Sequence, residues 1–123
     1  MLITWFEKHN KISWIITLIG AVLIFYISSI ESIPSVGKEF NLLPPIYHFC
    51  AFFLVCFFLL ISLNSGKYNR EKFALGILLV FLYAIFDEIH QLFVFGRFFD
   101  FMDLFINFLG IFFASVIYGK RLK

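Results

Sequence analysis

The sequence predicts an all-α membrane protein: a bundle of four transmembrane helices forming one domain over residues 1–123. Three observations carry that expectation. Apolar residues make up 62% of the chain and charged residues 15%, against about 45–50% and about 25% in soluble domains. A soluble unit of this size leaves too much surface in water to hide such an apolar excess, and lipid as solvent removes the need. Four apolar stretches, each about long enough to cross a hydrocarbon core of about 30 Å, alternate with charged or proline-bearing segments. Finally, the lysines and arginines gather at alternate ends of those stretches.

The first stretch, residues 12–30, carries no charge. Lys8 and Lys11 precede it as in a signal peptide. It is longer than the usual signal core of about 7–15 residues and no small-residue cleavage motif follows, so it reads as a retained helix. Residues 31–45, with Pro34, Gly37, Pro44 and Pro45, break the helical pattern and read as a loop. The second span covers residues 46–63 and holds His48 near its start; residues 64–72 form a short basic loop. The third span, residues 73–95, is apolar as far as Asp87, Glu88, His90 and Gln91, so its polar groups sit at one end. Gly96 and Arg97 mark a turn, and the fourth span runs over residues 101–118 with Asp103 and Asn107 near its start. Cys50 and Cys56, six residues apart on one helix, stand about 9 Å apart. That is too far for a disulfide, and they read as small apolar fillers.

Charge sets the expected orientation. Lys8, Lys11, Lys67, Arg70, Lys72, Lys120, Arg121 and Lys123 flank one face of the bundle, and only Lys38 and Arg97 belong to the other. Positive residues stay inside, so both termini are expected in the cytoplasm, and an even number of spans agrees in putting the two on one side. Glu31, Glu39, Asp87, Glu88, Asp100 and Asp103 fall on the opposite, extracytoplasmic half. Topology alone thus gathers His48, the 87–91 segment, Arg97, Asp100, Asp103 and Asn107 into one layer. Helical spacing of three and four aligns Tyr83, Asp87, His90 and Gln91 on one stripe, and Asp100, Asp103, Asn107 and Gly110 on another. Ionisable groups at the centre of a membrane cost at least about 2.5–3.5 kcal/mol each, so these are expected to face each other or a wet cavity.

The run Tyr83-Ala84-Ile85-Phe86-Asp87-Glu88-Ile89-His90-Gln91, then Gly96-Arg97, then Asp103, Asn107 and Gly110, resembles the signature of the VanZ-like family of small integral membrane proteins. That signature reads approximately D-E-x-x-Q, a G-R turn, and D-x-x-x-N-x-x-G. Ser28-Ser29 and His48-Phe49 also resemble family positions. Two positions depart from it. Phe95 stands where a proline often precedes the G-R pair, and Pro44 and Pro45 occupy the stretch where a lysine often precedes the histidine. The resemblance implies a cell-envelope membrane protein connected with glycopeptide resistance, since the founding member is associated with resistance to teicoplanin.

Three functions compete. In the first, an enzyme acts on a membrane lipid or lipid-linked envelope substrate. Asp87 or Glu88 serves as general base, His48 and His90 relay protons or join the acids Asp87, Glu88 and Asp103 around a divalent metal ion, and Arg97 holds a phosphate. Gln91, Asn107, Tyr83 and Asp100 line the substrate. In the second, the same cluster binds an envelope component or excludes a glycopeptide without chemistry. In the third, it is a polar network that sets helix register. On the structural side, Asp87 and Glu88 cap a helix and pair with Arg97, His48 is an interfacial histidine, Asn107 bridges helices, and Gly110 with Ala114 allows close packing. The spacing H-E-x-x-H, phosphate-binding glycine loops and serine elbows are absent. The basic residues flank spans instead of forming a patch, which argues against nucleic acid as a partner.

Overall fold

The computed structural model describes residues 1–32 and 42–123. Its elements are α1 (Leu2–Lys8), α2 (Asn10–Ser28), α3 (Leu43–Asn64), α4 (Arg70–Gln91) and α5 (Phe101–Leu122). Helices α2 to α5 contain 19, 22, 22 and 22 residues, or about 28–33 Å at about 1.5 Å per residue, which matches a hydrocarbon core. Among the described residues there is no strand. Large apolar side chains such as Leu18, Val22, Leu54, Leu82, Phe86, Phe105 and Phe112 are exposed on the outer faces. So much apolar surface, on four helices long enough to span a bilayer, suits lipid around it. The protein is a multi-pass integral membrane protein.

The most apolar helix, α3, lies at the centre and packs against α1, α2, α4 and α5, most extensively against α5. Phe52, Cys56, Leu60 and Ile61 of α3 are wholly buried, as are Ala84, Ala114 and Tyr118 on its neighbours. Gly110 sets the α3–α5 approach, because a Cβ there would meet the Phe49 carbonyl oxygen at 2.5 Å. Small residues permit this kind of close backbone contact between membrane helices. Both cysteines are free; Cys56 is buried, while Cys50 is exposed.

The helix boundaries shift by a few residues from the sequence expectation, and three features differ in kind. Pro44 and Pro45 lie in the first turn of α3, not in a loop, since the first turn of a helix has no use for the missing N–H. The third span ends at Gln91, not at residue 95. Beyond it the chain tightens through Leu92 N–H to Ile89 O, Phe93 N–H to His90 O and Val94 N–H to Gln91 O. It then reverses at Gly96, whose φ of 75° suits glycine. The expected loop positions Pro34, Gly37, Lys38 and Glu39 lie outside the described residues. The N-terminal flank also folds, as α1, where the sequence suggested only a charged approach. Arg121 Nη2 donates to Glu7 Oε2 at 3.3 Å and to Thr4 Oγ1 at 3.1 Å, tying α1 to the end of α5.

The two ends of the bundle separate by charge. Asn10 bonds Ser65, the Gly66 N–H reaches the Tyr118 hydroxyl, and Arg121 reaches Glu7. The two termini and the 65–69 loop therefore share one end. At the other end the Ser32 N–H donates to Phe95 O, and Arg97 reaches Ile30 O.

Candidate functional site

The polar layer occupies the end formed by the last turn of α2, the first turns of α3 and α5, and the last turn of α4. Each helix contributes for a local reason. Asp100 caps α5 by accepting from the Met102 N–H at 2.8 Å, a frequent task for aspartate. This leaves Asp103 and Asn107 one and two turns further in, on the face towards α3. The tight turn after Gln91 brings Asp100 back against α4, where its N–H donates to Glu88 Oε2 at 3.2 Å.

The innermost contacts are between α3 and α5. His48 Nδ1 stands 2.9 Å from Asn107 Oδ1, and His48 Nε2 stands 3.4 Å from Asp103 Oδ2. An amide oxygen only accepts, so Nδ1 carries the hydrogen and Nε2 faces the carboxylate. On α4, Gln91 Nε2 donates to Glu88 Oε1 at 3.4 Å and lies 3.5 Å from Asp87 Oδ2. Glu88, Asn107 and Asp87 are 0%, 0% and 1% exposed. Donor atoms of His48, Glu88 and Asp103 lie within 4.8 Å of one another, so these are the residues that could hold a metal ion. Asp87 Oδ1 and Asn107 Nδ2 are buried without a hydrogen-bond partner among the described residues.

Two polar cavities flank the cluster. One, of about 250 Å³, is lined by Ser28, Tyr47, His48, Asp87, Gln91 and Arg97 together with Ile27, Leu43 and Pro44. The smaller, of about 110 Å³, is lined by Ser32, Gln91, Gly96, Arg97, Phe98, Asp100 and Asp103. Gln91 and Arg97 border both. A third, apolar groove of about 480 Å³ runs down the seam between α2 and α3, past Gly20, Cys50 and Leu54, and shares Ile27 and Tyr47 with the larger polar cavity.

The expected residues divide into two groups. His48, Asp87, Glu88, Gln91, Arg97, Asp100, Asp103 and Asn107 come together. Tyr83 and His90 turn towards α2 instead. The Tyr83 hydroxyl donates to Ala21 O at 2.6 Å. His90 Nε2 pairs with Ser29 Oγ at 2.9 Å, and its ring stacks on Phe25 with centroids 4.5 Å apart. Neither borders the two polar cavities. The reason is helical rotation: at about 100° per residue, Gln91 lies about 40° to one side of Asp87, and Tyr83 and His90 lie about 40° and about 60° to the other, the side that meets α2.

Arg97 forms neither expected carboxylate pair among the described contacts. Its Nε donates to Ile30 O at 3.0 Å and Nη2 to Ile27 O at 3.2 Å, one carbonyl just past α2 and one in its last turn. The guanidinium carries five N–H donors, so it closes α2 while still bordering both cavities. Glu88 is held by Gln91 and the Asp100 backbone. Tyr47 and Ser32 were missed in the sequence. Tyr47 had one available signal, as a polar-tipped aromatic directly before His48. Ser32 had none, because its place depends on how the chain folds against Gly96.

No curated protein and no solved structure matches the chain. The sequence model of the VanZ/LLP1 family matches residues 2–121. That is nearly the whole of a four-span bundle whose D-E-x-x-Q, G-R and D-x-x-x-N-x-x-G residues meet at one end, and the chain belongs to the VanZ/LLP1 family.

Proposed function

We propose that this VanZ-family protein acts on a phosphate-bearing lipid or lipid-linked envelope component, at the membrane face away from its termini. One observation carries the reading. The larger polar cavity, bordered by an arginine, a histidine and a carboxylate, opens beside an apolar groove and shares Ile27 and Tyr47 with it. A ligand with an anionic head and an apolar tail has the matching chemistry. Arg97 is suited to a phosphate because its guanidinium is a planar fork of donors. Asp87, which borders the cavity and keeps one oxygen free of hydrogen bonds among the described residues, is better placed than Glu88 to serve as general base. His48, next to it, is suited to relay the proton. The basic residues at the opposite end support a site outside the cytoplasm by the positive-inside rule. The teicoplanin resistance associated with the founding family member suggests resistance as a cellular readout.

The test uses purified protein in vesicles offered lipid phosphates and lipid-linked precursors, alongside expression in a glycopeptide-sensitive host. We expect phosphate release, or altered precursor, that is lost in Asp87→Asn, Glu88→Gln and Asp103→Asn while the variants remain folded. Loss of resistance with retained ligand binding supports catalysis. Loss of both supports a non-catalytic binding protein. Wild-type protein that neither turns over nor binds any of these lipids sinks the reading.

A second reading, a register-setting network, is favoured by the number of protein partners already serving the cluster. Glu88 accepts from both Gln91 and the Asp100 backbone, and Arg97 is bonded to backbone carbonyls. Under that reading, any activity tracks the amount of folded protein in every variant.

A further inference from the structure

We propose that His48, Glu88 and Asp103 form a binding site for one divalent transition-metal ion, Zn²⁺ or Mn²⁺, clamping α3, α4 and α5 together at the polar end. The donors come one from each helix and lie within 4.8 Å of one another. Donors on a single tetrahedral ion, each at about 2.1 Å, stand about 3.4 Å apart, so the set needs to close by up to about 1.4 Å. One imidazole nitrogen and two carboxylate oxygens suit these ions, and three protein ligands leave a position for water. The two polar cavities border His48 on one side and Asp103 on the other, and offer that water a route.

Two observations beyond the proximity point to a cation. The first is the orientation of the imidazole. Asn107 Oδ1, wholly buried, holds His48 Nδ1 at 2.9 Å, which directs Nε2 to Asp103 Oδ2 at 3.4 Å. Metal-binding histidines characteristically donate their other N–H to such an acceptor, which fixes tautomer and ring orientation. The second is the charge balance. Asp87, Glu88 and Asp103 crowd one site, and Asp87 Oδ1 is buried without a partner among the described residues. Arg97 spends its described hydrogen bonds on the carbonyls of Ile27 and Ile30 and none on these acids. Converging carboxylates taken out of water need a compensating positive charge, and a metal ion supplies it.

The proposal stands on the donor geometry and does not depend on any lipid being the substrate. The full-length protein in detergent, stripped with a chelator, is titrated separately with ZnCl₂ and MnCl₂ by calorimetry, and the bound metal is counted by elemental analysis. We expect one ion per chain. His48→Gln and Glu88→Gln should each lower affinity at least tenfold, and Asn107→Leu, which removes the orienting partner, by about 10–100-fold. Glu71→Gln, in the first turn of α4 at the opposite end of the bundle, should leave affinity unchanged. In case a variant does not fold, the Mn²⁺-loaded wild type is read by pulsed electron paramagnetic resonance, where one directly bound imidazole nitrogen is expected. No stoichiometric binding, a spectrum without that nitrogen, or affinity unaltered in folded His48→Gln and Glu88→Gln overturns the proposal. Metal bound by a protein that neither turns over nor binds lipid would retire the lipid reading alone, and turnover by a protein that binds no metal would retire the metal site alone.

Discussion

At the scale of single residues, the pair His48–Asn107 shows how a polar contact operates where water is scarce. Each side chain is buried, and each satisfies an atom of the other at 2.9 Å. Removing one partner strands the other, at a cost of about 1–3 kcal/mol, while replacing both with apolar groups of similar shape costs much less. Asn107→Leu alone and His48→Leu alone are therefore each expected to lower stability in a detergent unfolding titration. The double variant should be clearly less destabilised than the sum of the two. Additive losses would mean the pair is not coupled. The same reasoning separates His90 from the cluster. Its partners are Ser29 and Phe25 of α2, so His90→Ala should disturb α2–α4 packing and leave lipid binding at the polar cavity intact.

At the scale of elements, two glycines govern how closely backbones meet. A Cβ on Gly110 would lie 2.5 Å from the Phe49 carbonyl oxygen, inside the α3–α5 interface that carries His48 and Asp103. Gly110→Val should push the helices apart and lower stability by about 1–3 kcal/mol, with the polar cluster opening as a consequence. A Cβ on Gly96 would fall only 1.6 Å from Ser32 O, at a φ of +75°. Gly96→Ala is therefore expected to be the more damaging change, measured as loss of folded protein on extraction from the membrane. Helix α1 is governed by charge. Glu7, largely buried, has Arg121 as its partner at 3.3 Å. Arg121→Ala leaves that carboxylate without its cation and should release α1, read as faster amide exchange over residues 2–8 with α3 unchanged.

At the scale of the whole molecule, the prediction concerns orientation. The termini and the 65–69 loop share one end, as their mutual contacts require, and that end carries the basic residues. In a background with Cys50 and Cys56 replaced, Lys67→Cys and Lys120→Cys should resist a membrane-impermeant thiol reagent in intact cells, and Phe98→Cys should react. The reverse pattern would place the polar cavities in the cytoplasm and turn the proposed substrate search to the inner leaflet.

The amino-acid sequence by itself determined the solvent, the number of spans and the layer in which the polar residues sit. Lipid imposes length and apolarity on every span, and both are properties of contiguous residues. The membership of the D-E-x-x-Q and D-x-x-x-N-x-x-G residues in one layer followed from topology in the same way. What only the tertiary structure decided was which of those residues face one another. Helix rotation and the tightness of the turn at Gly96 are set by side chains distant in sequence, such as Phe49 against Gly110 and Ser32 against Gly96. A periodic pattern defines a stripe on a helix but not the neighbour that stripe meets. So Asp87 and Gln91 turned inward to a cavity shared with His48, Tyr83 and His90 on the same predicted stripe turned to α2, and Arg97 bound carbonyls instead of an acid.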